Sequence, residues 1–209
     1  MIERAPALEV DQLVVQRGSM QIGPVTLQIG CGSRLALTGP TGAGKSSVLL
    51  AVAGLLPIRS GSVVIHGRSM MEDGSVVEPW QRGIGWLGQE RGLWPHLTVE
   101  AQCLLAAGSA GKNREQIRTL AADLAISDRI DRRPGQLSGG EAQRAELLRA
   151  VSSPGSLLIL DEPYSAQNEE GRGLMKQVLD RECEQGKTLL LALHDTKEEI
   201  ESVEIPATT

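Results

Sequence analysis

Gly39-Pro40-Thr41-Gly42-Ala43-Gly44-Lys45-Ser46 constrains this chain more than any other feature. It follows a short apolar run at 34–38 and opens a helix-forming stretch at 45–53. The spacing is G-x-x-x-x-G-K-[ST], and a strand before it and a helix after it are the context that motif requires. The glycines let the backbone curl so that successive N–H groups point at one phosphate chain. The helix N-terminus adds its positive dipole end. Lys45 brings a point charge to β- and γ-phosphates, the Ser46 hydroxyl is a ligand for Mg²⁺, and Ser47 continues the cradle. The bland alternative is a glycine turn that only caps a helix, and the strand–loop–helix setting argues against it.

Two further segments carry chemistry. Residues 157–160 form a continuous apolar strand that ends in Asp161-Glu162-Pro163. Strand C-termini in a doubly wound sheet face the ligand crevice, which places Asp161 to hold Mg²⁺ and Glu162 to polarise an attacking water. Leu137-Ser138-Gly139-Gly140-Glu141 precedes another helix. Ser138 and the Gly139 and Gly140 amides form a second anion-binding helix end. One nucleotide does not fill two such ends in one chain, so the pattern predicts that two chains share nucleotides.

The rest of the chain supplies the scaffold. Strands are expected at 8–15, 25–29, 34–38, 62–65, 83–87, 157–160 and 188–193, with Gly18 and Gly23 marking turns. Helices are expected at 45–53, 99–107 (capped by Thr98), 114–124 (capped by Asn113), 139–151, 169–184 and 196–202. Strand–helix alternation at both ends brackets a helical middle, which predicts an α/β fold in a single domain.

With 209 residues and a net charge of −5, the chain suits one packed domain and not a broad nucleic-acid surface. Cys31, Cys103 and Cys183 lie far apart, so neither a zinc site nor a disulfide framework is expected, and Cys103 is expected to pack a helix. Glu3, Arg4, Glu9 and Asp11 argue against a signal peptide. No apolar run reaches the ~20 residues that span a bilayer. His66 and His96 are expected to be structural or exposed, and residues 129–133 a solvated charged face. Trp80, Trp86 and Trp94 cluster in one segment and either pack a core or form a docking surface, with core packing favoured for Trp86.

Taken in order, GPTGAGKS, Gln89, LSGGE, LLILDEP and His194 resemble the nucleotide-binding subunit of ATP-binding cassette (ABC) transporters, over nearly the whole chain. The resemblance implies a P-loop NTPase, RecA-like core at about 1–90 and 152–209, with an antiparallel β lobe and an inserted helical subdomain at about 91–151. It also implies head-to-tail dimers that bury two ATP molecules, each between the P-loop of one chain and the LSGGE segment of the other. By matching position, Gln89 reaches Mg²⁺ and the lytic water, and His194 contacts the γ-phosphate. Residues 92–99 are similar to the corresponding segment of importers, and no acidic insertion precedes LSGGE. The implied partners are a second cassette, identical or not, permease subunits and a solute-binding protein, at the cytoplasmic face of the membrane. Trp86 and Trp94 would line the groove for a permease helix.

Three departures stand out. Arg17 occupies the position where the family places an aromatic against adenine; a guanidinium also stacks on a base. Ser165-Ala166-Gln167-Asn168 stands where the family has Ser-Ala-Leu-Asp. Only 15 residues follow His194, which predicts shortened closing strands and no C-terminal regulatory domain. The competing readings are a soluble ABC ATPase acting on nucleic acid or the ribosome, and a weakly hydrolysing nucleotide-dependent regulator.

Overall fold

A computed structural model describes residues 6–72, 75–90, 92–193 and 200–205. The chain opens with β1 (Leu8–Arg17) and β2 (Met20–Ile29), which pair antiparallel. β3 (Arg34–Thr38) leads into α1 (Lys45–Ala53), and β4 (Ile58–Ile65) returns to pair with β1. Three short strands follow: β5 (Arg68–Ser69), β6 (Met71–Glu72) and β7 (Ser75–Val76). β8 (Ile84–Leu87) then precedes the helices α2 (Val99–Ala107), α3 (Arg114–Asp123) and α4 (Gly139–Ser152). β9 (Leu157–Asp161), α5 (Glu169–Glu184), β10 (Thr188–Ala192) and β11 (Ser202–Glu204) complete the described chain.

The strands form an antiparallel sheet, β2-β1-β4-β5, and a five-stranded sheet, β11-β3-β10-β9-β8, in which all pairs are parallel. Alternation along the parallel strands divides the interior. Leu35, Leu37, Leu157, Ile159 and Leu190 pack toward α1 and the antiparallel sheet. Ala36, Leu158, Leu160, Leu189 and Leu191 pack toward α2–α5. Both faces are covered, so these strands are apolar throughout, as buried parallel strands must be. Because the strands run parallel, the C-terminal ends of β3, β8, β9 and β10 open on one edge. The loops that carry the motifs therefore meet there.

Local chemistry explains the helix ends. Thr98 accepts from the Ala101 amide at 3.2 Å, and Asn113 and Gln116 form a reciprocal capping box. Gly54 ends α1 in the left-handed region at φ 80°, against the guanidinium of Arg82. Arg82, 4% exposed, donates to the carbonyls of Val77 (2.9 Å), Ala51 (3.3 Å) and Val52 (2.7 Å), so the orphan carbonyls of α1 are satisfied by a buried cation.

Three expectations are corrected, and others hold. Gly23 lies inside β2 and marks no turn; at φ 103° its missing Cβ spares a 2.2 Å clash with the Leu13 carbonyl, where the pairing register with β1 shifts. Residues 196–199 of the expected last helix lie outside the described residues, and its end, Ser202, begins a strand: Ala36 N donates to Glu201 O (2.9 Å) and Ile205 N to Thr38 O (2.8 Å), so the open edge of β3 takes a partner. Residues 129–133 are not simply solvated. Ile130 is buried, and Arg129 Nε donates to Glu141 Oε1 at 2.8 Å. Cys103 is fully buried in α2, and burial pushes its thiol up to about 12. His66 is exposed, with Nε2 2.6 Å from Ser156 Oγ, and His96 is exposed. No helix among the described residues is long and apolar enough to cross a membrane.

Candidate functional site

The loop from Gly39 to Gly44 turns through three glycines in the left-handed region, at φ 133°, 85° and 102° for Gly39, Gly42 and Gly44. A Cβ at Gly39 would stand 2.4 Å from Ile205 O, and one at Gly44 2.6 Å from Ile22 Cγ2, so only glycine fits at either position. Ala43 and Ser47 are buried beneath the loop, and Ala43 N donates to Pro40 O at 3.1 Å. Lys45 opens α1 at 6% exposure, its Nζ donating to Gly39 O (2.7 Å) and Pro40 O (3.2 Å). The ammonium is thus held by the loop's own carbonyls, over the cradle it serves.

A cleft of about 460 Å³ lies against this loop. Thr41, Gly42, Gly44, Lys45, Ser46 and Ser47 line one side, and Gln89 and Glu162 come in from the ends of β8 and β9. Arg17, Met20 and Ile22 line it from the β1–β2 hairpin. Arg17 was expected from the sequence; Met20 and Ile22 were not. Met20 is 43% exposed and offers a thioether surface beside the guanidinium. Only the inward alternation of β2 could have pointed to Ile22.

Asp161 ends β9 at 3% exposure, level with Ala192 in the register of β10. Glu162, the next residue, takes φ 49°, a conformation costing a non-glycine residue about 1–2 kcal/mol. Its backbone is tied on both sides. Its N–H donates to Ala192 O at 3.1 Å, and its carbonyl accepts from Ser165 N (3.2 Å) and Gln143 Nε2 (3.3 Å). From this turn Glu162 lines the cleft. Among the described residues no group of three or more His, Cys, Asp and Glu side chains gathers as a metal site. The donors lining the cleft are a hydroxyl (Ser46) and an amide oxygen (Gln89); the Asp161 carboxylate stands buried at the end of β9, beside Glu162 and outside that lining. They are all-oxygen, hard ligands and fit Mg²⁺ coordinated together with phosphate oxygens. His194 lies outside the described residues.

Ser138, Gly139 and Gly140 stand apart from this cleft, and none of them lines it. Ser138 caps α4: its Oγ accepts from Glu141 N (3.3 Å), and Glu141 Oε2 accepts from Ser138 N (2.7 Å). The Ser138 amide and the Arg129 guanidinium hold the Glu141 carboxyl down to about 2. The first turn of α4 is thus fixed by a capping box, outside the P-loop cleft.

A second groove, of about 540 Å³, lies on another face and brings together Trp80, Trp86, Trp94 and Leu55. Trp80 is 78% exposed, and Trp86 is half-buried against the α1-side core. Trp86 therefore packs against the core, as favoured, and also lines the groove. The Arg149 guanidinium lies 5.3 Å from the Trp94 ring, and Arg149 also donates to Gly92 O. Glu146 Oε1 accepts from Gly92 N (2.6 Å) and Gln102 Oε1 from Trp94 N (2.7 Å). Side chains of α4 and α2 thereby fix the loop that forms one wall.

Comparison with known proteins fits this geometry. The family model described as ABC transporter matches residues 22–165. The thiamine import ATP-binding protein ThiQ of Yersinia pseudotuberculosis is 37% identical over 174 residues, covering 81% of this chain and 72% of the relative. The Fe(3+) ions import ATP-binding protein FbpC of Pseudomonas fluorescens is 35% identical over 168 residues, and the match spans 48% of its length, about half. The solved structure of an ATP-binding subunit of an ABC transporter superposes with a TM-score of 0.81 at 25% identity, over 95% of this chain and 85% of that one.

Proposed function

The chain belongs to the ATP-binding subunits of ABC transporters, and on that premise we propose that it hydrolyses ATP in a head-to-tail pair to drive solute import through partner permease subunits. The import relatives support that direction of transport. The observation that carries the reading is the meeting, in one cleft, of the glycine loop, Lys45, Ser46, Gln89 and Glu162. Residues of about 1–90 and 152–209 act as the nucleotide-binding core, and about 91–151 as a helical subdomain.

The chemistry follows from the geometry. Backbone amides of residues 39–44 and the N-terminus of α1 bind the phosphate chain. Lys45 Nζ leaves its carbonyl partners for the β- and γ-phosphates. Mg²⁺ held by Ser46, Gln89 and Asp161 would neutralise charge on the phosphate oxygens. Glu162, which lines the cleft, accepts a proton from the attacking water, so that the water's oxygen bonds phosphorus as the bond to ADP breaks. His194 assists at the γ-phosphate. Arg17, with Met20 and Ile22, forms the surface under the base. The Ser138–Gly140 end of α4 closes on the partner's nucleotide, which accounts for two anion-binding helix ends in a chain with one phosphate cleft.

The tryptophan groove is the permease contact. It is apolar, half-open and away from the nucleotide, which suits a short amphipathic helix from a membrane subunit. The chain therefore works at the cytoplasmic face of the membrane, and solute choice resides in the permease and any solute-binding protein.

The test is Glu162→Gln. Steady-state hydrolysis falls by about 10²–10⁴-fold, while ATP still binds. Hydrolysis at the parent rate would remove Glu162 as the base.

A further inference from the structure

The Gln167 side chain is fully engaged. Its Nε2 donates to Gly140 O at 2.9 Å and to Gln143 Oε1 at 3.0 Å, and its Oε1 accepts from Arg144 Nη1 at 2.9 Å. All three partners lie in the first two turns of α4. Gln143, only 8% exposed, extends the web: its Nε2 reaches Glu162 O (3.3 Å) and Ser165 Oγ (3.1 Å), and its Oε1 accepts from Ala166 N (3.1 Å). A continuous chain of hydrogen bonds therefore runs from the backbone of Glu162 to the carbonyl of Gly140. The space for it is built in. A Cβ at Gly171, in the first turn of α5, would come within 2.3 Å of Gln167 Oε1.

We infer that Gln167 is a positioning residue that couples Glu162, at one nucleotide, to the Ser138–Gly140 turn of the same chain, at the other; this rests on the head-to-tail reading above. The physical reason is that Glu162 sits in a strained φ 49° turn, held by contacts to its backbone rather than by intrinsic preference. One of those contacts is Gln143. The Gln143 amide is oriented by Gln167, which also grips the Gly140 carbonyl. A shift of the α4 N-terminus as it closes on the partner's triphosphate is transmitted to Glu162 through two amides. An aliphatic residue at 167 would leave the Gly140 carbonyl and Gln143 without that link.

Two variants of the full chain test this, with ATP titrations of steady-state hydrolysis. Gln167→Leu removes the donors and acceptor. Gly171→Ala leaves Gln167 in the sequence but displaces its amide. In both, kcat falls about fivefold, KM for ATP stays within about twofold, and the Hill coefficient drops from about two toward about one. Either variant with the parent's kcat and Hill coefficient overturns the inference. So does a change confined to KM, which would place Gln167 in nucleotide binding. A parent chain that hydrolyses no ATP contradicts the proposed function itself, and this inference falls with it; an active, cooperative parent with unaffected variants removes only the role of Gln167.

Discussion

A Cβ placed at Gly44 would meet the buried, β-branched Ile22 at 2.6–2.8 Å, whereas one at Gly67 meets nothing within 4 Å, although both residues have positive φ (102° and 76°). The pair separates backbone strain from collision. Gly67→Ala costs about 1 kcal/mol, the left-handed penalty alone, and Gly44→Ala about 2–3 kcal/mol, because Ile22 cannot move aside. Urea unfolding of the two variants reads the difference, and equal losses would show that Ile22 yields. The Ile22 collision also explains which residues were legible in advance. Lys45, Ser46, Asp161 and Glu162 were readable because phosphate chemistry demands those types at fixed spacing. Met20 and Ile22 reach the cleft only through the packing of the β1–β2 hairpin on α1, and no spacing encodes that contact. The left-handed backbone of Glu162 was equally hidden, since glutamate has no preference for it. Asn168 has a local explanation: its side chain caps α5, accepting from Gly171 N at 2.9 Å, a role asparagine fills as well as aspartate.

At the scale of elements, the C-terminal end of α4 is held by a buried cation. Lys187 Nζ donates to Val151 O (2.8 Å) and Ser153 O (3.1 Å). It lies 3.7 Å from Glu182 Oε2, while Glu182 Oε1 is bound by Lys112 at 2.9 Å. Burial lowers the Lys187 pKa to about 8, more than the Glu182 carboxylate raises it, and the Lys112 charge adds to the lowering. The unfolded chain, with lysine near about 10.4, holds that proton more tightly, so between about 8 and about 10.4 this group makes the fold more stable as pH rises. Its penalty is complete below about 8. Lys187→Met removes the titration, and its unfolding free energy should rise less with pH than the parent's across that window. Parallel pH profiles would contradict the assignment. Elements with strong caps or glycine stops, such as α1, α2 and α5, were legible to the residue. β11 was not. Three residues carry too little pattern, and what makes them a strand is the unpaired edge of β3.

At the scale of the molecule, the separation of the two anion-binding ends matters most. One chain has a phosphate cleft at the P-loop and a capped turn at Ser138–Gly140 outside it. A net charge of −5 opposes association of two copies, so the bridging nucleotides with their Mg²⁺ and the helix amides must supply the attraction. Pairing should therefore depend on ATP and weaken once the γ-phosphate leaves. The sequence alone carried this inference, because two glycine-rich helix starts are visible in it. That the second stands outside the P-loop cleft required the fold. The direct measurement is the sedimentation mass of Glu162→Gln with and without Mg-ATP. The 22.3 kDa chain should sediment at twice its mass with Mg-ATP and as a single chain without it. A species that binds ATP yet stays at 22.3 kDa would contradict the shared-nucleotide account.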